Sequence, residues 1–165
     1  MKINHLNELI RVLKAIPEVD FDITMWKATV DDPEADNIPK LQDEHNCGAV
    51  ACALGWAAQD SYFNNLGLKL DPDSDLPMIT VPIFDLNGPV KRQEIYGYTA
   101  AAEFFGISIS TAELLFSPDR YDTDQDTTPD QVIARVEFLI EHGQAKLWNN
   151  IKEKEFKFFS LRSGT

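Results

Sequence analysis

The segment that we predict to form the centre of the fold is Asn46-Cys-Gly-Ala-Val-Ala-Cys-Ala-Leu-Gly-Trp-Ala-Ala58. It contains no charged residue, and seven of its thirteen residues are Gly or Ala. Apolar residues would occupy every face of a helix formed here. We therefore predict a buried helix over about residues 47–62, with Asn46 as its N-cap. Gly48 and Gly55 each cost such a helix about 1 kcal/mol relative to Ala, which indicates that another group packs closely against it.

Further helices are predicted on both sides of this centre. Before Pro17, apolar residues recur at helical spacing and follow Asn4, a suitable N-cap. Short helices are predicted over about 97–105 and 110–116, and a longer one begins at Thr128-Pro129 and ends at Gly143. Residues 78–86 are predicted to form a short β-hairpin or an extended segment, which the neighbouring prolines restrict to a sheet edge. We therefore expect a mainly α-helical, single compact domain spanning residues 1–165.

The net charge of -12 comes from 27 acidic and 15 basic residues among 165. Residues 1–130 form an acidic body, whereas residues 131–165 are mildly basic. Nucleic acids and anionic membranes are themselves negative, so we expect neither as a partner. We expect no signal peptide, because the first residues lead directly into an amphipathic pattern, and no apolar run approaches the about 18 residues of a membrane span. Two closely spaced cysteines do not form a disulfide framework, so we expect a cytoplasmic protein with reduced thiols.

Cys47 raises the alternative of a cysteine-dependent hydrolase or transferase. In the first turn of the predicted helix, free backbone N–H groups would lower the pKa of its thiol. Asn-Cys-Gly at a helix start also resembles the nucleophile position of papain-like hydrolases, which implies a His base downstream, and His142 is the candidate. Those enzymes place this base on a strand, whereas His142 ends a predicted helix. Cys52 is predicted to be a buried core residue, and we expect no metal and no cofactor.

A longer resemblance starts from the same segment. Residues 46–57 resemble a Cys-Gly-x-x-x-Cys-x-x-Gly-x-Ala pattern of a family of small phage and bacterial proteins. The similarity extends to the N-terminal helix, Phe21–Trp26, Phe104–Ser108, Leu115-Phe116 and the Thr128-Pro129 helix. That pattern has Thr or Ser after Cys-Gly, where this chain has Ala49. The resemblance implies a shared fold and an association with phage, and it implies no activity.

Residues 99–116 raise a second alternative, a DNA-binding helix-turn-helix. Ala102, Gly106 and Leu115 occupy positions where that motif requires small, turn and core residues. The second helix, however, offers no Lys, Arg, Asn or Gln to DNA between Ser108 and Phe116. Without positive charge the main source of affinity for DNA is missing, so we interpret the corner as part of the core.

Two further segments supply candidate interaction residues. The Asp-rich segment, residues 119–128, starts an array of aspartates that ends at Asp130 and has the spacing of the first half of a calcium-binding loop. Thr127 and Ile133, however, occupy the positions where that loop requires Gly and a bidentate Glu. The C-terminal segment alternates aromatic and basic residues, which suits a contact with a partner or docking on the core. The candidates are Asp122, Asp124, Asp126, Asp130, Phe156, Lys157 and Phe159.

From these observations we expect a non-enzymatic acidic interaction protein with a phage association. The expected partner is a host protein with a defence or regulatory role, and the acidic body would contact it or compete with its nucleic acid. The sequence does not determine the oligomeric state. The alternatives are the Cys47 enzyme and, against the charge, the helix-turn-helix DNA-binding protein.

Overall fold

The computed structural model describes residues 1–29, 49–84, 90–121, 127–144 and 146–147. Six α-helices and five short strands form in this part of the chain, so the predicted mainly helical fold is confirmed. The helices are α1 (Ile3–Lys14), α2 (Ala53–Gln59), α3 (Ser61–Asn65), α4 (Gly97–Phe105), α5 (Ile109–Phe116) and α6 (Pro129–His142). The strands are β1 (Ala28–Thr29), β2 (Ala49–Val50), β3 (Lys69–Leu70), β4 (Pro77–Ile83) and β5 (Lys91–Tyr96). The strands form a two-stranded sheet, β1-β2, and a three-stranded sheet, β3-β4-β5, which the prediction of a short hairpin or extended segment did not include.

Helix α1 forms because its apolar residues recur every three or four positions and cover one side. Leu6, Leu9 and Leu13 on that side are buried, and they pack towards α2 and α6. The predicted helix is confirmed, but it begins one residue before Asn4. Lys2 occupies the N-cap position and makes no side-chain capping hydrogen bond. Its backbone N–H instead donates to the carbonyl of Phe105 at 2.8 Å, which joins the start of the chain to the end of α4.

The predicted helix over residues 47–62 is wrong at its start and is divided near its end. Residues 49–50 are the strand β2, and α2 begins only at Ala53 with Cys52 at its N-cap. The backbone N–H groups of Ala51 and Cys52 donate to the carbonyls of Asp20 and Met25 at 3.2 and 2.6 Å. These hydrogen bonds to residues 20–25 replace the hydrogen bonds that a helix would form within itself. Asp60 then separates α2 from α3, and its carboxylate accepts a hydrogen bond from the Tyr62 N–H at 2.8 Å.

The helix α2 nevertheless lies at the centre of the fold, as predicted. Five of its residues are buried: Ala53, Leu54, Gly55, Ala57 and Ala58. It contacts α1, α3, β3 and β4. Its small side chains let these neighbours approach closely, so the packing interpretation of the Gly- and Ala-rich segment holds for this helix.

The extended segment predicted near residues 78–86 is the strand β4, and it belongs to a hairpin. Strands β3, β4 and β5 form an antiparallel sheet in that order, with β4 in the middle. The expected edge position of β4 is therefore wrong. Strand β3 pairs only with Pro77 and Met78, however, whereas β5 pairs with β4 from Met78 to Ile83. Pro82 is tolerated because the part of β4 around it has a strand on one side only among the described residues.

The predicted helices in the second half are confirmed. Gly106 ends α4 in the left-handed conformation with φ 64°, and Ser108 caps α5 by accepting from the Thr111 N–H. Thr128 and Gln131 form a capping box at the start of α6. No single described helix is long and apolar enough to cross a membrane. The pair α4 and α5 meets the length and composition requirement only when its two helices are joined across a bend of 110°.

Candidate functional site

Cys52, not Cys47, lies at the N-terminus of the small-residue helix. The backbone N–H groups of Leu54 and Gly55 approach its sulfur, and on their own they would lower the pKa of the thiol. Burial has the larger effect, since only 2% of Cys52 is exposed, and it raises the pKa to about 11. The thiol is therefore protonated at neutral pH, and Cys52 is the buried core residue that the sequence predicts.

The surroundings of Cys52 depend on a close approach between two backbones. A Cβ atom at Gly55 would lie 1.6 Å from the carbonyl oxygen of Trp26, so only glycine fits at this position. The Trp26 ring in turn lies against Tyr98, with 5.3 Å between ring centroids. A hydrogen bond joins the Tyr98 hydroxyl to the side chain of the buried Ser117. The small-residue helix thus positions Trp26 and Tyr98 next to the end of α5.

The pKa values of Tyr96 and Tyr98 are both raised, and carboxylates contribute to each of the two shifts. Burial raises the pKa of Tyr98, and the negative charges of Asp119 and Glu113 raise it further. The pKa of Tyr96 is raised first by its hydrogen bond to Glu94 (2.9 Å), and then also by the charges of Asp71 and Asp73. We call the four residues around these two tyrosines the acidic surface; they are Asp71, Asp73, Glu113 and Asp119.

The helix-turn-helix corner formed by α4 and α5 is closed at the end that would contact DNA. The side-chain oxygen of Gln144, which follows α6, accepts hydrogen bonds from the Ser108 N–H at 2.8 Å and from the Thr111 hydroxyl at 2.9 Å. In a DNA-binding helix-turn-helix, the N-terminal residues of the second helix contact base edges. Here that end of α5 is occupied by the protein's own side chain.

Arg135 fixes the other end of α5. Its guanidinium donates to the backbone carbonyls of Leu114 and Arg120. Its central carbon also lies 3.6 Å from the centroid of the Tyr121 ring. The Tyr121 hydroxyl donates to the carbonyl of Leu115 at 2.6 Å. Helix α6 thereby holds the chain from the end of α5 to Tyr121, where the Asp-rich segment begins.

The structure places two of the predicted site residues on α6. Asp130 is exposed in the first turn, where its charge favours the positive end of the helix dipole. His142 is in the last turn, against the ring of Phe138 at 4.4 Å between centroids and 3.6 Å from a carboxylate oxygen of Glu141. These contacts are typical of a histidine at a helix end.

The remaining predicted site residues lie outside the described part of the chain. They are Cys47, Asp122, Asp124, Asp126, Phe156, Lys157 and Phe159. The pairing of Cys47 with His142 therefore stays a prediction. Its original basis has changed, since residues 49–50 form a strand and Cys47 does not lie in the first turn of α2.

Strand β5 is the main feature that the sequence did not predict, since the short hairpin or extended segment was expected within residues 78–86. Strand β5 has only one partly buried residue, Ile95, and the remainder of the strand is exposed. Phe84 and Val90, next to the paired ends of β4 and β5, are 77% and 58% exposed. The sequence of β5 lacks the alternation of apolar and polar residues that is typical of a half-buried strand. Its only local signal was the Asn-Gly-Pro sequence before it, which favours a turn between two segments that can pair.

Within residues 1–29, 49–84, 90–121, 127–144 and 146–147, no three or more His, Cys, Asp or Glu residues are grouped to hold a metal ion. Comparisons with family models, with curated proteins and with solved structures find no match to this chain. The assignment of a function therefore depends on the arrangement of charge and exposed groups described above.

Proposed function

We propose that this chain is a non-enzymatic protein that binds another protein through its acidic surface. The proposal rests on the net charge of -12, and on the acidic surface, where Asp71 and Asp73 act on Tyr96 and Glu113 and Asp119 act on Tyr98. A surface of one charge sign steers and orients a partner of the opposite sign. The expected partner therefore presents Lys and Arg residues.

The distribution of charge along the chain supports the same proposal. The described residues hold 15 acidic and ten basic residues. Segments 30–48, 85–89 and 122–126 hold ten acidic residues and one basic residue. The chain enters the first of these segments shortly after Trp26 and the last shortly after Asp119, and both residues are neighbours of Tyr98. These segments add ten acidic residues to the 15 in the described part of the chain.

A basic surface that binds such a chain is also the kind of surface that binds nucleic acid. We therefore propose that the partner is a host protein with a defence or regulatory role, and that this chain occupies the surface used for its nucleic acid. The phage association implied by the Cys-Gly pattern is the reason for proposing a host target. A cytoplasmic location and reduced thiols belong to the same proposal.

The proposal is tested with two variants that remove equal charge from different places. The first neutralises the acidic surface with Asp71→Asn, Asp73→Asn, Glu113→Gln and Asp119→Asn. The control neutralises four exposed acids elsewhere, with Glu18→Gln, Glu103→Gln, Glu137→Gln and Glu141→Gln. Each tagged chain is incubated with bacterial lysate, and the retained proteins are crosslinked and identified by mass spectrometry. Circular dichroism verifies that both variants remain folded.

The expected result is a basic protein that the wild type and the control retain and the first variant loses. DNA added in excess is expected to release that protein, because both ligands use the same surface. Equal loss with both variants, or retention of no basic protein by the wild type, contradicts the proposal.

The cysteine-dependent enzyme is kept as the second candidate because of the Asn-Cys-Gly sequence at Cys47. Its mechanism requires a thiolate, so Cys47 must react with iodoacetamide at neutral pH. A Cys47 thiol that stays unmodified in the native protein, as judged by peptide mass spectrometry, excludes this candidate.

The DNA-binding alternative requires salt-dependent binding of duplex DNA by the purified chain, and absence of binding at low salt excludes it.

A further inference from the structure

Strand β5 has an outer edge with no pairing strand among the described residues. The sheet order β3-β4-β5 places β5 at the end, and β4 occupies its inner edge along the whole strand. An open edge presents a row of backbone N–H and C=O groups that another strand can pair with. Lys91, Arg92, Gln93 and Glu94 on this strand are all exposed.

The charged side chains of β5 have no charged residue opposite them within the sheet. Arg92 lies across from Pro82, and Glu94 lies across from Thr80. The ion pairs formed among the described residues do not include Arg92. Glu94 accepts a hydrogen bond from the Tyr96 hydroxyl two positions along the same face. Both charges can therefore interact with a strand added at the outer edge.

Symmetry restricts how two copies of β5 can pair at this edge. Alternate residues of a strand direct their backbone N–H and C=O groups to opposite edges, so only every second residue offers them to a new strand. In a two-fold antiparallel pair the same residues face outward in both copies. Two residues that lie opposite each other must then both have even numbers or both have odd numbers. The two-fold axis is therefore always level with one residue, which lies opposite its own copy in the partner strand.

Among these registers, the one centred on Gln93 is self-complementary. It places Arg92 of each copy opposite Glu94 of the other, and the sequence Val90-Lys-Arg-Gln-Glu-Ile-Tyr96 also places Val90 opposite Tyr96. Val90 and Tyr96 are 58% and 38% exposed, so this register covers both with an apolar neighbour. A register centred on Arg92 would put two arginines opposite each other, and one centred on Glu94 would put two glutamates together. Like charges directly opposite destabilise a strand pair, whereas opposite charges stabilise it.

We propose that two copies of this chain associate through the outer edges of their β5 strands, antiparallel and in the register centred on Gln93. The interface joins two three-stranded sheets into one continuous sheet, with paired Arg92 and Glu94 at its centre. The charge-swap residues Arg92 and Glu94 are separate from the four carboxylates of the acidic surface, which all lie outside β5, although Tyr96, on which Asp71 and Asp73 act, is the last residue of the strand.

A charge-swap experiment tests both the dimer and its register. Sedimentation velocity over a concentration series measures the dimer dissociation constant of the full chain and of Arg92→Glu, Glu94→Arg and the double variant. Each single variant puts like charges opposite each other twice in the dimer, so we expect its dissociation constant to rise about tenfold or more. The double variant restores opposite pairs, and we expect it to return to within a few-fold of the wild type.

Lys91→Glu is the matched control, because it changes the net charge of the same strand equally. In the proposed register Lys91 lies opposite Ile95 of the other copy, so this variant is expected to weaken association less than Arg92→Glu. Circular dichroism and urea unfolding identify any variant whose loss of association reflects loss of folding. The double variant keeps the test valid, since recovery of the dimer requires a folded hairpin.

Three outcomes overturn the proposal. The first is a wild type that remains monomeric throughout the concentration series, which would assign the charges on β5 the role of preventing edge pairing. The second is a dimer that Arg92→Glu and Lys91→Glu weaken equally. The third is a double variant that stays dissociated although both single variants and the double variant are folded.

Discussion

Replacing Gly55 by Ala is expected to destabilise the protein, although Ala is the better helix former. The added Cβ atom would lie 1.6 Å from the carbonyl oxygen of Trp26 and 2.9 Å from the Cβ atom of Ala51. Nonbonded carbon atoms prefer about 3.5–4.0 Å, so the Trp26 backbone and α2 must separate by roughly 2 Å. This separation breaks the 2.6 Å hydrogen bond from the Cys52 N–H to the Met25 carbonyl.

The size of the effect follows from three contributions. Overpacking against a backbone costs about 3 kcal/mol, at the upper end of the usual range, because no flexible side chain can move aside. The lost hydrogen bond adds about 1 kcal/mol. The higher helix propensity of Ala returns about 1 kcal/mol. We therefore expect the free energy of unfolding to fall by about 3 kcal/mol and the melting temperature to fall by roughly 6–12 °C.

Urea unfolding followed by circular dichroism measures the change in free energy. Gly67→Ala is the control, since a Cβ there meets nothing within 4 Å and only the φ of +96° opposes the substitution. It is expected to cost about 1 kcal/mol. If Gly55→Ala proves as stable as the wild type, or costs no more than Gly67→Ala, the close approach of Trp26 to α2 does not exist in solution.

Three further predictions concern Cys52 and Arg135. In the native protein at neutral pH, Cys52 is expected to resist iodoacetamide and to react only after unfolding in urea, because burial keeps its thiol protonated; mass spectrometry of the native digest detects any exception. Because the folded pKa of Cys52 lies above its ordinary value, its contribution to stability is complete below about pH 9 and is lost as the pH rises from there towards about 11. Cys52→Ala should therefore show a shallower fall of the free energy of unfolding between pH 9 and 10 than the wild type, and equal slopes would contradict the assignment. Arg135→Met removes the donors to two backbone carbonyls and is expected to cost about 2–4 kcal/mol in urea unfolding, whereas Arg120→Met serves as a control with a smaller expected loss.

The helices of the second half were predictable because their signals are local. Thr128 and Pro129 at the start of α6 and Gly143 at its end act within one turn of the helix, and the structure confirms each. Gly106 between α4 and α5 is equally local, because its left-handed backbone is needed there whatever surrounds it.

The candidate sites were less predictable because they depend on distant parts of the chain. The sequence drew attention to a cysteine at a helix start and selected Cys47, whereas the helix starts after Cys52. The carboxylates around Tyr96 and Tyr98 come from the β3–β4 turn, α5 and the segment after it. No spacing along the sequence indicates that these residues meet.

The amino-acid sequence by itself determined that the chain is acidic, mainly helical and centred on an uncharged, small-residue helix. Tertiary structure decided where that helix begins. Small residues suit both a buried helix and a closely paired strand, so the residues before Ala53 have no strong preference of their own. Hydrogen bonds from Ala51 and Cys52 to the chain around residues 20–25 selected the extended form. In the same way, β5 is a strand because β4 pairs with it, and the charges it carries acquire a meaning only from the edge on which the sheet places them.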